Sequence, residues 1–275
     1  MPGSGVNPAA AGPSWLRPDW PVPETVRAAF TLRGGGVSVG PYASLNLGAQ
    51  VADDPLAVAE NRRRINSSLA LPAEPAWLSQ VHGSRVVRLG SAVAAGAAAD
   101  AVVTAEPGRV CVIQVADCLP VLFAARDGSV VGAAHAGWRG LAAGVLENTV
   151  SALGVPSGQL LAWIGPGIGV QNFEVGPEVR EAFVGAAAAG QAAGVGAAFS
   201  ANARGRWQCD LVALARLRLG SCGVTAIHGG GWCTFADDAN FFSHRRDGRS
   251  GRMAALIWRT QSPQEDSHNL RISRD

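Results

Sequence analysis

The sequence contains no lysine, because all 23 of its basic side chains are arginine. Schiff-base enzymes, pyridoxal-phosphate enzymes and P-loop nucleotide-binding proteins each need a lysine, so these classes are excluded. No large basic cluster is present either, since the longest basic run is Arg62-Arg63-Arg64, and we expect no nucleic-acid partner. No apolar run approaches the roughly 20 residues of a membrane span, so we expect no membrane partner.

Cysteine and histidine are scarce, with five of each. The cysteines form no CxxC pair, which argues against a disulfide framework or a zinc ribbon. Five histidines are too few for a protein that must house several copper ions mostly on histidine. Residues 1–20 lack the basic start and continuous apolar stretch of a secretory signal, and we expect a cytoplasmic protein.

The remaining composition predicts one globular α/β domain. With 275 residues, 48% of them hydrophobic, the chain can bury a large core. We expect a flexible N-terminal arm over residues 1–25, a catalytic domain over 26–259 and a polar C-terminal tail over 260–275. Some predicted strands follow one another directly while others alternate with helices, which favours mixed β-sheets flanked by helices.

Helical spacing of apolar residues and capping signals predict helices over residues 53–69, 141–154 and 209–224. Residues 176–200 start as a helix and continue into an Ala- and Gly-rich stretch. We interpret the second half of that stretch as a tolerated surface insertion.

The segment VADCLPVLFA, residues 115–124, is unusual for a buried strand. A buried carboxylate such as Asp117 costs several kcal/mol unless it is paired. Pro120 cannot donate a hydrogen bond to a neighbouring strand. An acid, a thiol and a proline in one apolar run therefore indicate a functional site around Asp117 and Cys118.

Two other segments place a histidine beside glycine at a predicted strand end, namely His82 in QVHG and His135 in AHAGW. Together with Cys118 they form a set of two nitrogen ligands and one sulfur ligand. Three protein ligands leave one position of a tetrahedral zinc open, which is typical of a catalytic site. Asp117 would then orient a ligand or the substrate.

Spacing alone leaves two alternatives open. Cys118 and His135 are also a possible nucleophile and base, with Asp117 or Gln80 nearby. In the third interpretation both histidines are hydrogen-bonded core residues and Cys118 is an inert thiol.

Arginines beside glycine turns are candidate anion ligands. Arg33 precedes Gly34-Gly35-Gly36, where free backbone N–H groups and a guanidinium would form a phosphate cradle. A second basic loop, FFSHRRDGRSGRM, contains Arg245, Arg246 and Arg252.

Six motifs occur in an order that resembles the YfiH-type family of laccase-domain, polyphenol-oxidase-like proteins, now regarded as purine nucleoside phosphorylases. They are QVHG (80–83), ADAVVT (99–104), ADCLPVLF (116–123), AHAGWRG (134–140), IGPGIG (164–169) and FFSHRRDGRSGRMAALIW (241–258).

The resemblance implies a single domain with α/β/β/α layers and a zinc ion held by His82, Cys118 and His135, with copper as a less favoured metal. It implies phosphorolysis of adenosine, inosine, guanosine and methylthioadenosine, with adenosine deamination as a second activity. Nucleosides and inorganic phosphate would be the partners of a monomer or small homo-oligomer. We assign catalysis to Asp117 and Cys118, and substrate or phosphate binding to Arg33, Asn46, Gln80, Arg245 and Arg246.

The chain departs from the family pattern at two places where many relatives carry cysteines. It has Gln171-Asn172 after IGPGIG, and Cys233-Thr234-Phe235-Ala236 where relatives often read CTYC. Fewer thiols weaken a copper site. The alternatives that remain are a copper-dependent polyphenol oxidase, a Cys–His amide hydrolase editing peptidoglycan precursors, and a non-catalytic binding module stabilised by metal.

Overall fold

Two β-sheets pack face to face in the computed structural model, which describes residues 12–90, 96–185 and 192–261. The first sheet is antiparallel and contains, in spatial order, β1 (Trp15–Leu16), β2 (Val26–Thr31), β13 (Met253–Arg259) and β5 (Val110–Val115). The second is mixed and contains, in spatial order, β12 (Ala226–Gly229), β8 (Leu160–Ile164), β6 (Leu119–Ala125), β7 (Val131–Ala136), β4 (Ala101–Thr104) and β3 (Val86–Arg88).

A small antiparallel sheet contains β10 (Phe199–Ala201), β11 (Trp207–Cys209) and β9 (Glu174–Val175). The helices are α1 (Pro55–Ser68), α2 (Trp138–Ala142), α3 (Val145–Leu153), α4 (Pro177–Val184), α5 (Ala192–Ala197), α6 (Leu211–Ser221) and α7 (His244–Asp247). No described helix is both long and apolar enough to cross a membrane.

Three apolar clusters separate four layers. Residues such as Ile65 of α1 pack on one face of the four-stranded sheet, beside Leu256 of β13. The opposite face of that sheet, including Phe30, packs on the six-stranded sheet. The outer face of the six-stranded sheet packs on α3 and α6, for example through Phe123 and Leu214. The predicted mixed α/β domain with α/β/β/α layers is confirmed.

Helix ends follow local side-chain chemistry. The Asp54 carboxylate accepts a hydrogen bond from Leu56 N at the start of α1, and the Asp210 carboxylate accepts one from Ala213 N at the start of α6. Such caps satisfy backbone donors that have no partner within the helix. Gly154 ends α3 with φ 71°, a left-handed conformation that glycine adopts readily.

Two predicted peripheral segments contribute to the core. Within the predicted N-terminal arm, β1 pairs with β2 and Trp20 is buried, so the packed domain starts before residue 26. In the predicted surface insertion, Val195 and Phe199 are buried against the helical layer, because the small sheet and α5 cover that face. Residues 1–11, 186–191 and 262–275, which include most of the predicted polar tail, lie outside the described residues.

The segment VADCLPVLFA is two strands rather than one. Its first residue ends β5 in the four-stranded sheet, and Leu119 starts β6 in the six-stranded sheet. Between them the chain bends at residues 116–118, and Asp117 has φ 87°. Asp117 and Cys118 therefore lie in the bend between the two sheets and not within a continuous ladder.

Candidate metal centre and active site

Three potential metal ligands meet at this bend. His82, Cys118 and His135 each offer a donor atom, and these atoms lie within 4.8 Å of one another. His135 comes from the end of β7, and β7 is the neighbour of β6, which Cys118 precedes. The rings of His82 and His135 meet edge to face with centroids 4.7 Å apart. The structure thus brings together the three residues that the sequence grouped.

A carboxylate that sequence analysis did not select holds two of these residues. Asp100, which is fully buried before β4, accepts hydrogen bonds at Oδ1 from His82 N and from His135 Nδ1, both at 2.8 Å. Its Oδ2 accepts from Gly83 N at 2.7 Å and from Val81 N at 3.2 Å. Carboxylates commonly fix metal-binding histidines in this way. Asp100 therefore takes the orienting role that we predicted for Asp117.

The three backbone contacts of Asp100 also explain the conformation of the His82 turn. His82 has φ 60°, which is a left-handed conformation that costs free energy for a residue other than glycine. The carboxylate gathers the backbone N–H groups of residues 81–83 and compensates for that cost. Because Nδ1 of His135 contacts Asp100, its Nε2 is the nitrogen left for a ligand.

The thiol and imidazole at the centre polarise one another. Burial opposes ionisation of Cys118, but the charge of His135 and hydrogen bonds from His135 and His82 prevail and lower the pKa of Cys118 to about 6. Burial likewise opposes protonation of His135, yet the Cys118 thiolate and Asp100 raise the pKa of His135 to about 9. The Cys118 thiolate is therefore accessible near neutral pH, as both metal binding and nucleophilic attack require.

The donor set fits a metal ion. Two imidazole nitrogens and a thiolate are ligands typical of zinc, and the three donor atoms lie close enough together that the group could hold one metal ion. Gly137 leaves room for this arrangement, since a Cβ built there would lie 2.8 Å from Cys118 Sγ and 3.1 Å from His82 Cδ2. The described residues contain no other cluster of this kind.

Replacing Gly137 with alanine is expected to weaken metal binding. The residue has φ −66°, which alanine adopts without strain, so the effect comes from the methyl group pressing on Cys118 and His82. Overpacking of this type costs typically 1–3 kcal/mol, which corresponds to a metal affinity about 5- to 150-fold lower. Competition with a chromophoric chelator measures that affinity.

The matched control is Gly158→Ala, because a Cβ at Gly158 meets nothing within 4 Å. Its metal affinity should equal that of the wild type. Equal affinities in Gly137→Ala and the wild type would show that the ligands do not need the space beside Gly137.

A cavity of about 780 Å³ opens at the centre and includes His82, Cys118 and His135 in its wall. This volume lies in the usual range for small-molecule sites. Three aromatic side chains line it, namely Trp77, Trp138 and Phe173.

The cavity wall is rich in positive charge. Its arginines are Arg62, Arg139, Arg245 and Arg252, whereas Asp117 is the one acidic side chain among the described residues of the wall. Within the part of the chain that the structure describes, none of these arginines forms an ion pair with a carboxylate. The wall is thus suited to an anionic ligand.

Two predicted phosphate ligands lie elsewhere. Arg33 donates to the backbone oxygens of Ala43 and Asp238 and stacks on Phe242, with its Cζ 4.8 Å from the ring centroid. Arg246 donates to the oxygens of Thr234, Phe235 and Phe241, and it pairs with Asp247. Neither arginine lines the cavity, because backbone carbonyls of neighbouring loops engage its guanidinium. The structure therefore places both arginines outside this cavity, and phosphate binding by either one stays a prediction.

Asp117 and Arg245 line the cavity and contact each other. The two Asp117 oxygens accept from Thr234 Oγ1 at 2.6 Å and from the Arg245 backbone N at 2.7 Å. The Arg245 guanidinium donates to Glu174 O and lies over Phe173. Asp117 thus holds the start of α7 against the cavity, and within the described residues no hydrogen bond joins its carboxylate to His82, Cys118 or His135.

Gln80 and Asn46 differ in position. Gln80 lines the cavity, and its amide forms two hydrogen bonds with the backbone of Gln114 in β5. Asn46 is fully buried outside the cavity wall, where its amide oxygen accepts from Gly48 N and Arg252 N. Direct substrate contact therefore remains a prediction for Gln80, whereas Asn46 holds neighbouring residues instead.

The chain is similar to a known protein family over most of its length. A family described as "Multi-copper polyphenol oxidoreductase laccase" matches residues 27–260. A purine nucleoside phosphorylase of Pseudomonas aeruginosa is 57% identical over 245 residues, which cover 89% of this chain and 98% of that protein. Purine nucleoside phosphorylase YfiH of Escherichia coli is 49% identical over 241 residues, which cover 88% of this chain and 97% of that protein.

A solved structure from Neisseria meningitidis, protein NMB0706, has the same fold. Its TM-score is 0.84 at 46% identity, and the match covers 90% of this chain and 99% of that one. The resemblance inferred from the six sequence motifs is therefore confirmed.

Proposed function

The chain belongs to the multi-copper polyphenol oxidoreductase laccase family, and from this premise we propose that it is a zinc-dependent purine nucleoside phosphorylase. The observation that carries the proposal is the cluster of His82, Cys118 and His135 in the wall of a large cationic cavity. The names of the Pseudomonas and Escherichia relatives support the same activity.

The cavity has a suitable surface for each of the two substrates, the purine nucleoside and inorganic phosphate. A purine ring would pack against Trp77, Trp138 or Phe173, because flat aromatic rings favour stacked or edge contacts. Inorganic phosphate would bind to the arginines of the wall, whose guanidinium groups form paired hydrogen bonds with phosphate oxygens. Both substrates would then lie beside Cys118 in one volume.

In phosphorolysis a phosphate oxygen forms a bond to the anomeric carbon while the bond from that carbon to the purine nitrogen breaks. The electron pair of the broken bond stays on the purine, and the proton carried by hydrogen phosphate ends on the purine. The products are a free purine and ribose 1-phosphate. Arginine side chains would stabilise the phosphate throughout, and Asp117 would keep Arg245 at the wall through its contact with the Arg245 backbone.

His82, Cys118 and His135 would hold the zinc ion, and Asp100 would orient both histidines. When bound, zinc supplies Lewis acidity and lowers the pKa of a bound water. The lowered pKa of the bound water would also serve deamination of adenosine, which we propose as a second activity. The proposed nucleosides are adenosine, inosine, guanosine and methylthioadenosine.

Incubation of the purified protein with adenosine and phosphate tests the proposal. We expect adenine and ribose 1-phosphate, and we expect inosine as the main product when phosphate is omitted. Chromatography of the bases measures both activities, and elemental analysis of the same sample identifies the metal. A protein that converts none of the four nucleosides, with or without phosphate, would contradict the proposal.

A second candidate is a Cys–His amide hydrolase, and one arrangement favours it. Cys118, His135 and Asp100 form a hydrogen-bonded series of thiol, imidazole and carboxylate, which is the order found in nucleophilic hydrolases. In that case the metal-stripped protein would be active and an electrophilic amide analogue would label Cys118. Copper-dependent oxidation of phenols, without phosphorolysis, would instead favour the oxidase named in the family description.

A further inference from the structure

Resting on the phosphorylase function proposed above, we propose that Arg252 is the principal phosphate-binding side chain of the cavity and that Asn46 and Gly48 are its positioning residues. Arg252 immediately precedes β13 and lines the cavity. Its side chain would contact phosphate directly, whereas Asn46 and Gly48 would act through the position of Arg252.

Arg252 has more unused hydrogen-bonding capacity than its half-buried neighbour. Arg62 donates from Nε and Nη2 to Leu47 O and stacks on Trp77, with its Cζ 3.8 Å from the ring centroid. Arg252 donates only from Nη1, to Ser250 O, Ser250 Oγ and Gly251 O. Within the described residues, Nε and Nη2 of Arg252 have no acceptor. Those donors remain for a ligand.

The charge of Arg252 is also incompletely compensated. Burial lowers the pKa of Arg252, and the negative charges of Cys118 and Asp117 act in the opposite direction without cancelling that effect. Arg252 lies in the same cavity wall as Asp117, Cys118 and His135. A partly buried guanidinium stays protonated, so it favours an anion beside it. Arg139 and Arg245, by contrast, are exposed to solvent, where water screens their charge.

Asn46 fixes the backbone from which Arg252 extends. Its Oδ1 accepts from Arg252 N at 2.8 Å and from Gly48 N at 2.9 Å. Its Nδ2 donates to Asp53 Oδ2 at 2.8 Å and to Gly48 O at 3.2 Å. Leu47 N also donates to Arg252 O at 3.0 Å. The backbone N–H and the backbone oxygen of Arg252 are therefore both held by residues 46 and 47.

Gly48 leaves the space through which the Arg252 side chain passes. A Cβ at Gly48 would lie 2.7 Å from Arg252 Cγ and 3.1 Å from Arg252 Cβ. Any larger residue at position 48 would therefore displace the arginine. This contact gives a way to move the guanidinium without changing its charge.

The test measures phosphorolysis at varied phosphate and at varied nucleoside concentrations, together with deamination of adenosine without phosphate. Arg252→Lys keeps the charge but loses the planar fork, and we expect its KM for phosphate to rise about tenfold or more. Gly48→Ala should raise the same KM in the same direction. The nucleoside KM and the deamination rate should change by less than about twofold in both variants. A rise confined to the phosphate KM would not follow from a general loss of structure.

Arg249→Lys is the matched control, because Arg249 lies in the same loop outside the cavity wall and donates to Tyr42 Oη. Its phosphate KM should equal that of the wild type. An unchanged phosphate KM in Arg252→Lys, or a rise confined to the nucleoside KM, would overturn the assignment.

Direct titration with inorganic phosphate separates this inference from the phosphorylase function. If the wild type binds phosphate and Arg252→Ala does not, the site is supported even in a protein that cleaves no nucleoside. If Arg252→Ala binds phosphate as tightly as the wild type, the site is refuted even in an active phosphorylase. Absence of phosphate binding to the wild type would also refute it. Thermal unfolding and metal content of each variant check that the fold and the metal centre are intact.

Discussion

Replacing Cys118 with alanine is expected to remove most of the bound metal and to abolish both nucleoside activities. Two imidazoles would remain, and a site that loses one of three protein ligands binds metal weakly. Changes in the groups that merely orient ligands cost 10–100-fold in affinity or activity, so loss of a direct ligand should cost more than about 100-fold. Elemental analysis and the nucleoside assay, run on the same preparation, measure both effects.

Cys118→Ser should be nearly as damaging, since a hydroxyl is a harder and far less acidic ligand than a thiol. Cys111→Ala is the matched control, because Cys111 is a buried thiol in β5 whose pKa burial raises, and it is not part of the cluster. That variant should keep its metal and its activity. Full metal occupancy in Cys118→Ala together with loss of activity would identify Cys118 as a nucleophile and would contradict the metal assignment.

Replacing Asp100 with asparagine should disturb the metal centre, although Asp100 is not one of the three proposed ligands. Each carboxylate oxygen accepts two hydrogen bonds, and the amide would turn an NH₂ group toward one of these pairs of donors. The resulting clash would free either the His135 ring and the His82 backbone or the N–H groups of Val81 and Gly83. We expect a metal affinity about 10–100-fold lower, as for other partners of metal-binding histidines.

The metal-stripped Asp100→Asn variant should also be less stable than the metal-stripped wild type, because a buried donor without an acceptor costs about 1–3 kcal/mol. Chemical denaturation of the stripped protein measures this loss without any contribution from the metal, and chelator competition measures the affinity. Asp127→Asn is the control, since Asp127 accepts a hydrogen bond from Ser129 N in a surface turn. If Asp100→Asn bound metal as tightly as the wild type, the orientation of the histidines would not depend on the carboxylate.

Two of the three predicted helices were placed well because their signals are local. The predicted helix over 141–154 was partly wrong, since α2 ends at Ala142 and α3 starts at Val145, with Gly144 at φ 89° before it. The α1 helix at Pro55–Ser68 lies within the predicted residues 53–69, and its cap joins Asp54 to Leu56, two residues away. The same holds for α6, whose cap joins Asp210 to Ala213. Contacts of this kind depend on backbone conformation over a few residues, so the sequence pattern is sufficient to predict them.

Peripheral segments were predicted less well because composition does not report distant packing. Trp20 and Phe199 lie in stretches rich in proline, glycine or alanine, yet both are buried. What decides their burial is the surface against which they pack. That surface is formed by strands and helices far away in the chain.

The sequence did not show which arginines line the cavity, for a related reason. Arg33 precedes three glycines, which suggested a phosphate cradle, but its Nη1 donates to Asp238 O, a residue 205 positions away. Only a folded chain reveals whether a guanidinium is already occupied by backbone oxygens. Arg252 belongs to the same sequence loop as Arg246, and their partners rather than their sequence context distinguish them.

The sequence by itself determined the chemistry available to this protein. The absence of lysine excluded several enzyme classes, and the motifs around His82, Cys118 and His135 identified the family and a candidate ligand set. Only the tertiary structure decided which groups support that set. Asp100 lies 18 residues from His82 and 35 from His135, and the bend between β5 and β6 carries Cys118 from one sheet to the other. Residue types set which bonds are possible, whereas contacts between distant strands set which bonds form.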